Sequence, residues 1–117
     1  MSSPPVPSLS IQISSRGGAT IATVGGEIDM HTSPRLRAAL LDLAAKTTGP
    51  LCVELASCGH MDSSGVGTMV FLKREVERRG RKLYLVGLQP RVRGVFEITN
   101  LDKFFLIVRS VDEALNP

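Results

Sequence analysis

Apolar residues recur along this chain in two periods, and the changes of period mark its elements. Leu9, Ile11 and Ile13 alternate with polar residues and predict a first strand. Arg16-Gly17-Gly18 is a turn signal and Ala19 to Val24 reads as a second strand, so the two form a hairpin. Gly25-Gly26-Glu27-Ile28-Asp29 ends that strand and leads into a loop, Met30-His31-Thr32. Ser33 and Pro34 then predict a helix start, with serine as N-cap and proline at the first helical position. Leu36, Ala39, Leu40 and Leu43 repeat at helical spacing through Lys46, and Thr47-Thr48-Gly49-Pro50 stops the helix.

The run 51–55 is apolar at both parities apart from Glu54, which suits a strand buried on both faces of a mostly parallel sheet. The polar stretch His60 to Gly67 follows, and a second helix runs from Val66 to Arg79 with Val66, Met69, Val70 and Val76 inward. Gly80 suits the residue just past its end. Leu83 to Val86 is the next strand. Pro90 opens a third helix with Val92, Val95, Phe96 and Thr99 inward, and Asn100 suits its left-handed terminus. Phe104 to Val108 is a last strand, and Ser110 with Glu113 forms a capping box for a short final helix ending at Asn116-Pro117. The order β-β-α-β-α-β-α-β-α predicts an α/β fold: one sandwich with a mixed, mostly parallel sheet and crossover helices.

Composition adds limits. A chain of 117 residues suits one domain with a single core. Residues 1–7 read as a frayed Pro/Ser tail, lacking the basic and apolar regions of a secretion signal, and the domain is expected over residues 8–117. No apolar run approaches the roughly 20 residues of a membrane span, so no membrane partner and a cytoplasmic location are expected. The net charge is +3, and the chain has four Phe, one Tyr and no Trp, which argues against base stacking. Lys73, Arg74, Arg78, Arg79, Arg81 and Lys82 form a basic end to the second helix, interrupted by Glu75 and Glu77. Cations there complement the helix dipole, so a solvated face is expected rather than a nucleic-acid site. Cys52, Cys58 and His60 match no standard zinc spacing; buried thiols and no metal are expected.

The chemistry gathers at Asp62-Ser63-Ser64-Gly65-Val66-Gly67, a strand-to-helix corner of the kind where open α/β sheets place functional loops. Ser63 is expected to cap the helix and Ser64 to stand at its start, with its hydroxyl near free N–H groups. Gly65 and Gly67 remove bulk, so something large could approach the backbone. A hydroxyl at the positive end of a helix is a good place to carry a phosphate.

Three features coincide: Gly26-Glu27-Ile28-Asp29 after the second strand, Met61 to Gly67 at the second helix, and Thr99-Asn100-Leu101-Asp102-Lys103 before the last strand. In this order and spacing the chain resembles the STAS-domain anti-sigma factor antagonists, the SpoIIAA-like proteins of bacteria. Asn100, where Gly is common, and Glu54, where Asp or Asn is usual, depart from the pattern. The resemblance implies a protein without catalysis or cofactor of its own. It would bind an anti-sigma factor that is also a serine kinase using ATP and Mg²⁺, and so release a sigma factor. Phosphorylation of the second serine, Ser64, would break the complex, and a PP2C-type phosphatase would restore it. The expected partner surface is Asp29, His31, Asp62, Ser63, Ser64, Gly65, Val66, Gly67 and Thr68.

Rival readings also follow from the residues. Ser64 with His31 and Asp29 mimics a hydrolase arrangement, but Asp62 stands where the G-x-S-x-G elbow needs its first Gly. Gly65-Val66-Gly67 lacks the Lys of a P-loop and the third Gly of a dinucleotide fingerprint. A STAS module that senses a small ligand or scaffolds an assembly, or one regulated by redox at Cys52 or Cys58, keeps the fold and changes the task.

Overall fold

The expected hairpin forms around two glycines that both take positive φ, Gly17 at 57° and Gly18 at 82°. That is the two-residue turn whose twist matches the strands it joins, and it pairs Arg16 with Ala19. In the computed structural model, which describes residues 9–116, the elements are β1 (Ser10–Arg16), β2 (Ala19–Ile28), α1 (Ser33–Lys46), β3 (Leu51–Glu54), β4 (Cys58–Met61), α2 (Ser63–Arg78), β5 (Leu83–Val86), α3 (Pro90–Ile98), β6 (Leu106–Val108) and α4 (Val111–Leu115). The Pro/Ser tail expected over residues 1–7 lies outside the described residues.

The sheet runs β1-β2-β3-β5-β6, with β4 beside β2 and off that path. Among the described residues, only the β1–β2 pairing is antiparallel. The α/β class and mostly parallel sheet are as expected, but the order gains a strand: β4 intervenes between β3 and α2. It exists because β2 is longer than its apolar stretch. Thr20 to Thr23 pair with β3; Gly26, whose φ is 98°, then pairs with Cys58, and after a register shift Glu27 and Ile28 pair with His60 and Met61. A bulge bends a strand and sharpens its twist. Here the extra residue is Gly59 of β4, between the pairs Gly26–Cys58 and Glu27–His60, and β2 has left β3 before it.

Alternation along β2 sends Ala22, Val24 and Ile28 to one face and Ala19 and Ile21 to the other. The first face packs on α1, α2 and α3 through Leu36, Leu40, Met69, Leu72, Val92 and Phe96. The second meets α4 through Cys52, Tyr84, Val86, Val111 and Ala114. Phe96 is fully buried and meets Phe105 edge to face at 5.2 Å. Ile13 departs from its pattern: it is 53% exposed, toward the hairpin end of the edge strand β1. Thr99 is likewise exposed, its hydroxyl donating to the carbonyls of Val95 and Phe96. The last strand is shorter than expected and leaves Phe104 and Phe105 in the turn before it.

The helix ends follow local rules. Gly80 takes φ 74°, and the amides of Gly80 and Arg81 reach back to Glu77 and Val76. Asn100 does the same for α3 at φ 59°, with Leu101 N–H on Phe96 O. Ser110 caps α4 by accepting from Glu113 N–H, while Glu113 reaches back to Arg109 N–H. Arg81 fastens α1 to the chain after α2. Its guanidinium donates to Gly49 O at 2.6 Å, Ala44 O at 2.7 Å and Thr47 Oγ1 at 2.9 Å. Arg81→Ala is therefore expected to lower stability by about 2–3 kcal/mol, against about 0.5 or less for the exposed neighbour Lys82→Ala. A lowered urea midpoint at unchanged slope checks it. Elsewhere on the basic helix end, Lys73 pairs with Glu77 and Arg78 with Glu75.

Candidate functional site

The corner is built on the parallel ends of β2 and β4. Asp62 N–H donates to Ile28 O at 3.1 Å, so the last residue pair of these strands leads directly into α2. Asp62, not Ser63, is the N-cap. Its Oδ1 accepts from Ser64 N–H at 2.9 Å, Gly65 N–H at 3.4 Å and the Ser64 hydroxyl at 2.5 Å. The hydrogen bond from the Ser64 hydroxyl, then those from the Ser64 and Gly65 amides, hold the Asp62 carboxyl below its ordinary range against a smaller opposing effect of desolvation. This corrects the expectation that Ser63 caps the helix. Ser63 is an exposed first-turn residue. It also changes the expected anion site: the amides of Ser64 and Gly65 already have a carboxylate on them.

Ser64 stands in the first turn of α2, half-buried, as expected. Its carbonyl accepts from the Thr68 hydroxyl at 3.0 Å. The two glycines part company. Gly65 is buried, and a Cβ there would lie 2.6 Å from Met61 Cγ and 2.7 Å from Ile28 Cγ2. Its missing side chain lets α2 settle on β4 and β2; it does not open the surface. Val66, 4% exposed, also faces the core. Neither offers a side chain to a partner, contrary to expectation. Gly67 is exposed with open space where a Cβ would be. Ser64, Gly67 and Thr68 line one wall of a groove of about 640 Å³, and Ser33 and Arg37 line the other. Arg37 crosses it, its guanidinium 3.8 Å from the centroid of Phe71.

The second loop is held by Asp29. Its Oδ1 accepts from His31 N–H at 2.8 Å and Thr32 N–H at 3.0 Å. Those two backbone hydrogen bonds, His31 first, lower its pKa. The Thr32 hydroxyl accepts from Asp29 N–H and donates to Glu27 O. Thr32 occupies the N-cap position of α1 without capping it, and Ser33, expected as the cap, is the buried first residue of the helix. Asp29 is thus the frame of the turn. The exposed groups it presents are His31 and Met30, the latter 70% exposed. Met30 escaped the sequence reading. An apolar residue between Asp29 and His31, outside every periodic run, was its signal.

A hydrolase triad is not assembled. Asp29 accepts from the backbone of His31, and the Ser64 hydroxyl donates to Asp62. Among the described residues, no group of three or more His, Cys, Asp or Glu is placed to hold a metal. Cys52 and Cys58 are buried free thiols on opposite faces of the sheet. Burial pushes both thiols up, which disfavours the reactive thiolate.

Comparison with known proteins places this geometry. The STAS domain family matches residues 10–114. An anti-sigma-B factor antagonist of Staphylococcus epidermidis is 35% identical over 78 residues, 67% of this chain and 72% of its own length. The Staphylococcus aureus protein of the same name matches to the same extent. Among solved structures, an anti-sigma factor antagonist from Mycobacterium paratuberculosis superposes with a TM-score of 0.84 at 26% identity, over 93% of this chain and 92% of its own. SpoIIAA in its unphosphorylated form shares the fold at a TM-score of 0.77 and 24% identity, over 92% and 94%. The phosphorylated form from Bacillus does so at 0.69 and 23%, over 92% and 97%.

Proposed function

This chain belongs to the STAS-domain family, and from that premise we propose that it is an anti-sigma factor antagonist switched by phosphorylation of Ser64. It binds an anti-sigma factor with serine kinase activity and so frees a sigma factor. The kinase, using its own ATP and Mg²⁺, ends the interaction by modifying Ser64, and a PP2C-type phosphatase renews it. No helix of the described residues is long and apolar enough to cross a membrane. The proposal sets the protein in the cytoplasm, with its transcription partners.

The observation that carries this reading is the Ser64 hydroxyl: half-buried, in the first turn of α2, on the wall of an open groove. The docking surface is this corner with the exposed residues around it: Ser63, Gly67, Met30 and His31. Asp62 and Asp29 frame the two loops beneath. A phosphate on Ser64 adds about −1.5 to −2 charges at the centre of that surface. Affinity capture from the native cytoplasm tests the reading. Ser64→Ala as bait is expected to retain a kinase-fold partner and Ser64→Glu to lose it; retention of the same partners by both sinks the proposal.

A further inference from the structure

We propose that Asp62 is the general base for phosphorylation of Ser64, so that this protein brings to its kinase the group that takes the proton. The inference rests on the reading of Ser64 as the acceptor. A serine hydroxyl is far too weak an acid to ionise at neutral pH, so its proton must leave as the bond to phosphorus forms. Here the proton is already directed: Ser64 Oγ–H donates to Asp62 Oδ1 at 2.5 Å, well within reach for transfer. With the hydrogen turned onto Asp62, the lone pairs of Oγ are left for the side from which a phosphoryl group arrives. Ser64 lines the open groove, the side from which a phosphoryl donor can approach. Asp62 is ionised at neutral pH, and because its lowered pKa makes it the weaker base, it is the geometry that carries the role. The other carboxylate of the site, Asp29, is committed to its own turn. His60, on β4, lies close enough to act on Asp62 electrostatically, but the Ser64 hydroxyl donates to the carboxylate.

In the transfer step, the Ser64 Oγ–phosphorus bond forms. The bond from the γ-phosphorus to the bridging oxygen of a nucleoside triphosphate, held by the kinase, breaks. The nucleoside diphosphate departs with that electron pair. The proton passes from Oγ to Asp62 Oδ1 and then to solvent.

Asp62 also caps α2, and the two roles separate cleanly in one pair of variants. Asparagine is as good an N-cap as aspartate, whereas alanine is poor. Asp62→Asn keeps an oxygen for both amides and for the hydroxyl, yet cannot take a proton. The experiment uses the full chain, labelled ATP and the kinase captured with the Ser64→Ala bait, at saturating antagonist and below the melting temperatures of all variants. Asp62→Asn is expected to melt near the wild type, well above Asp62→Ala. Its kcat for phosphorylation is expected to fall by on the order of 100-fold, as loss of a positioned base does. The deficit should narrow as pH rises, because hydroxide then substitutes for the missing base. A variant rate within about threefold of wild type at every pH overturns the role of Asp62 while leaving Ser64 as acceptor, since general-base contributions are far larger than that. A wild-type chain that the captured kinase does not label at Ser64 overturns both.

Discussion

Gly67→Ala is expected to stabilise this fold by up to about 1 kcal/mol, and Gly65→Ala to destabilise it by about 1–2 kcal/mol, although both lie in the first turns of the same helix. The sign is set by what each position faces. At Gly67 a methyl group enters open space, so only the gain in helix propensity remains. At Gly65 the same methyl lands 2.6 Å from Met61 Cγ and 2.7 Å from Ile28 Cγ2. Both neighbours are buried, at 2% and 0% exposure, and Ile28 is β-branched and stiff. Repacking them costs about 1–3 kcal/mol, which exceeds the propensity gain. In a chain of this size each kcal/mol moves the melting temperature by very roughly 4 °C, so scanning calorimetry separates the pair. Function reverses the ranking. Gly67→Ala adds bulk to the groove beside Ser64 and is expected to weaken partner binding while the fold gains stability. A Gly67→Ala variant with both higher melting temperature and undiminished affinity would remove Gly67 from the docking surface.

Phosphorylated Ser64 is expected to bind the anti-sigma partner on the order of 100-fold more weakly than the unmodified chain, a difference of about 3 kcal/mol. Asp62 explains why the phosphate acts outward. Its carboxylate already occupies the amides of Ser64 and Gly65 and repels a second anion. A phosphoryl group on Ser64 is therefore expected to turn from the helix toward the partner. It brings charge and bulk to a surface that had offered a hydroxyl and the bare backbone of Gly67. At an effective dielectric near 20, two unit charges about 5 Å apart interact by about 3 kcal/mol, so one poorly compensated contact suffices. Ser64→Glu, with a single charge, should fall short of the full effect. Titration calorimetry on the phosphorylated chain checks the magnitude. A change below about threefold, under 1 kcal/mol, would remove charge at Ser64 as the switch.

Much of this was legible in the sequence because local chemistry decided it. The Gly17-Gly18 turn, the left-handed Gly80 and Asn100, and the Ser110 cap each needed only neighbouring residues. The features that escaped were set by distant contacts or by close rivals. β4 escaped because its sequence, Cys58-Gly59-His60-Met61, buries only its two ends, so neither period appears. Its partner, the outer half of β2, is Gly26-Glu27-Ile28, which no apolar pattern marks as strand. The cap of α2 was misplaced by one residue because Asp62, Ser63 and Ser64 are all good caps in succession. Only the descent of β4 beside Ile28 decides which of them meets the amides. Gly65 carried the same ambiguity: flexibility, access and close packing all call for glycine, and Met61 and Ile28 settle the choice.

The carboxylate on the first amides of α2 bears on the energy held in the modified state. A phosphoester formed on Ser64 finds its natural electrostatic stabilisation already taken, and a negative group beside it. Its group-transfer potential is accordingly higher than that of an ester resting on free amides. Hydrolysis would relieve that tension and return the hydroxyl to Asp62, so under the proposed switch the modified form is a wound spring whose discharge is thermodynamically easy.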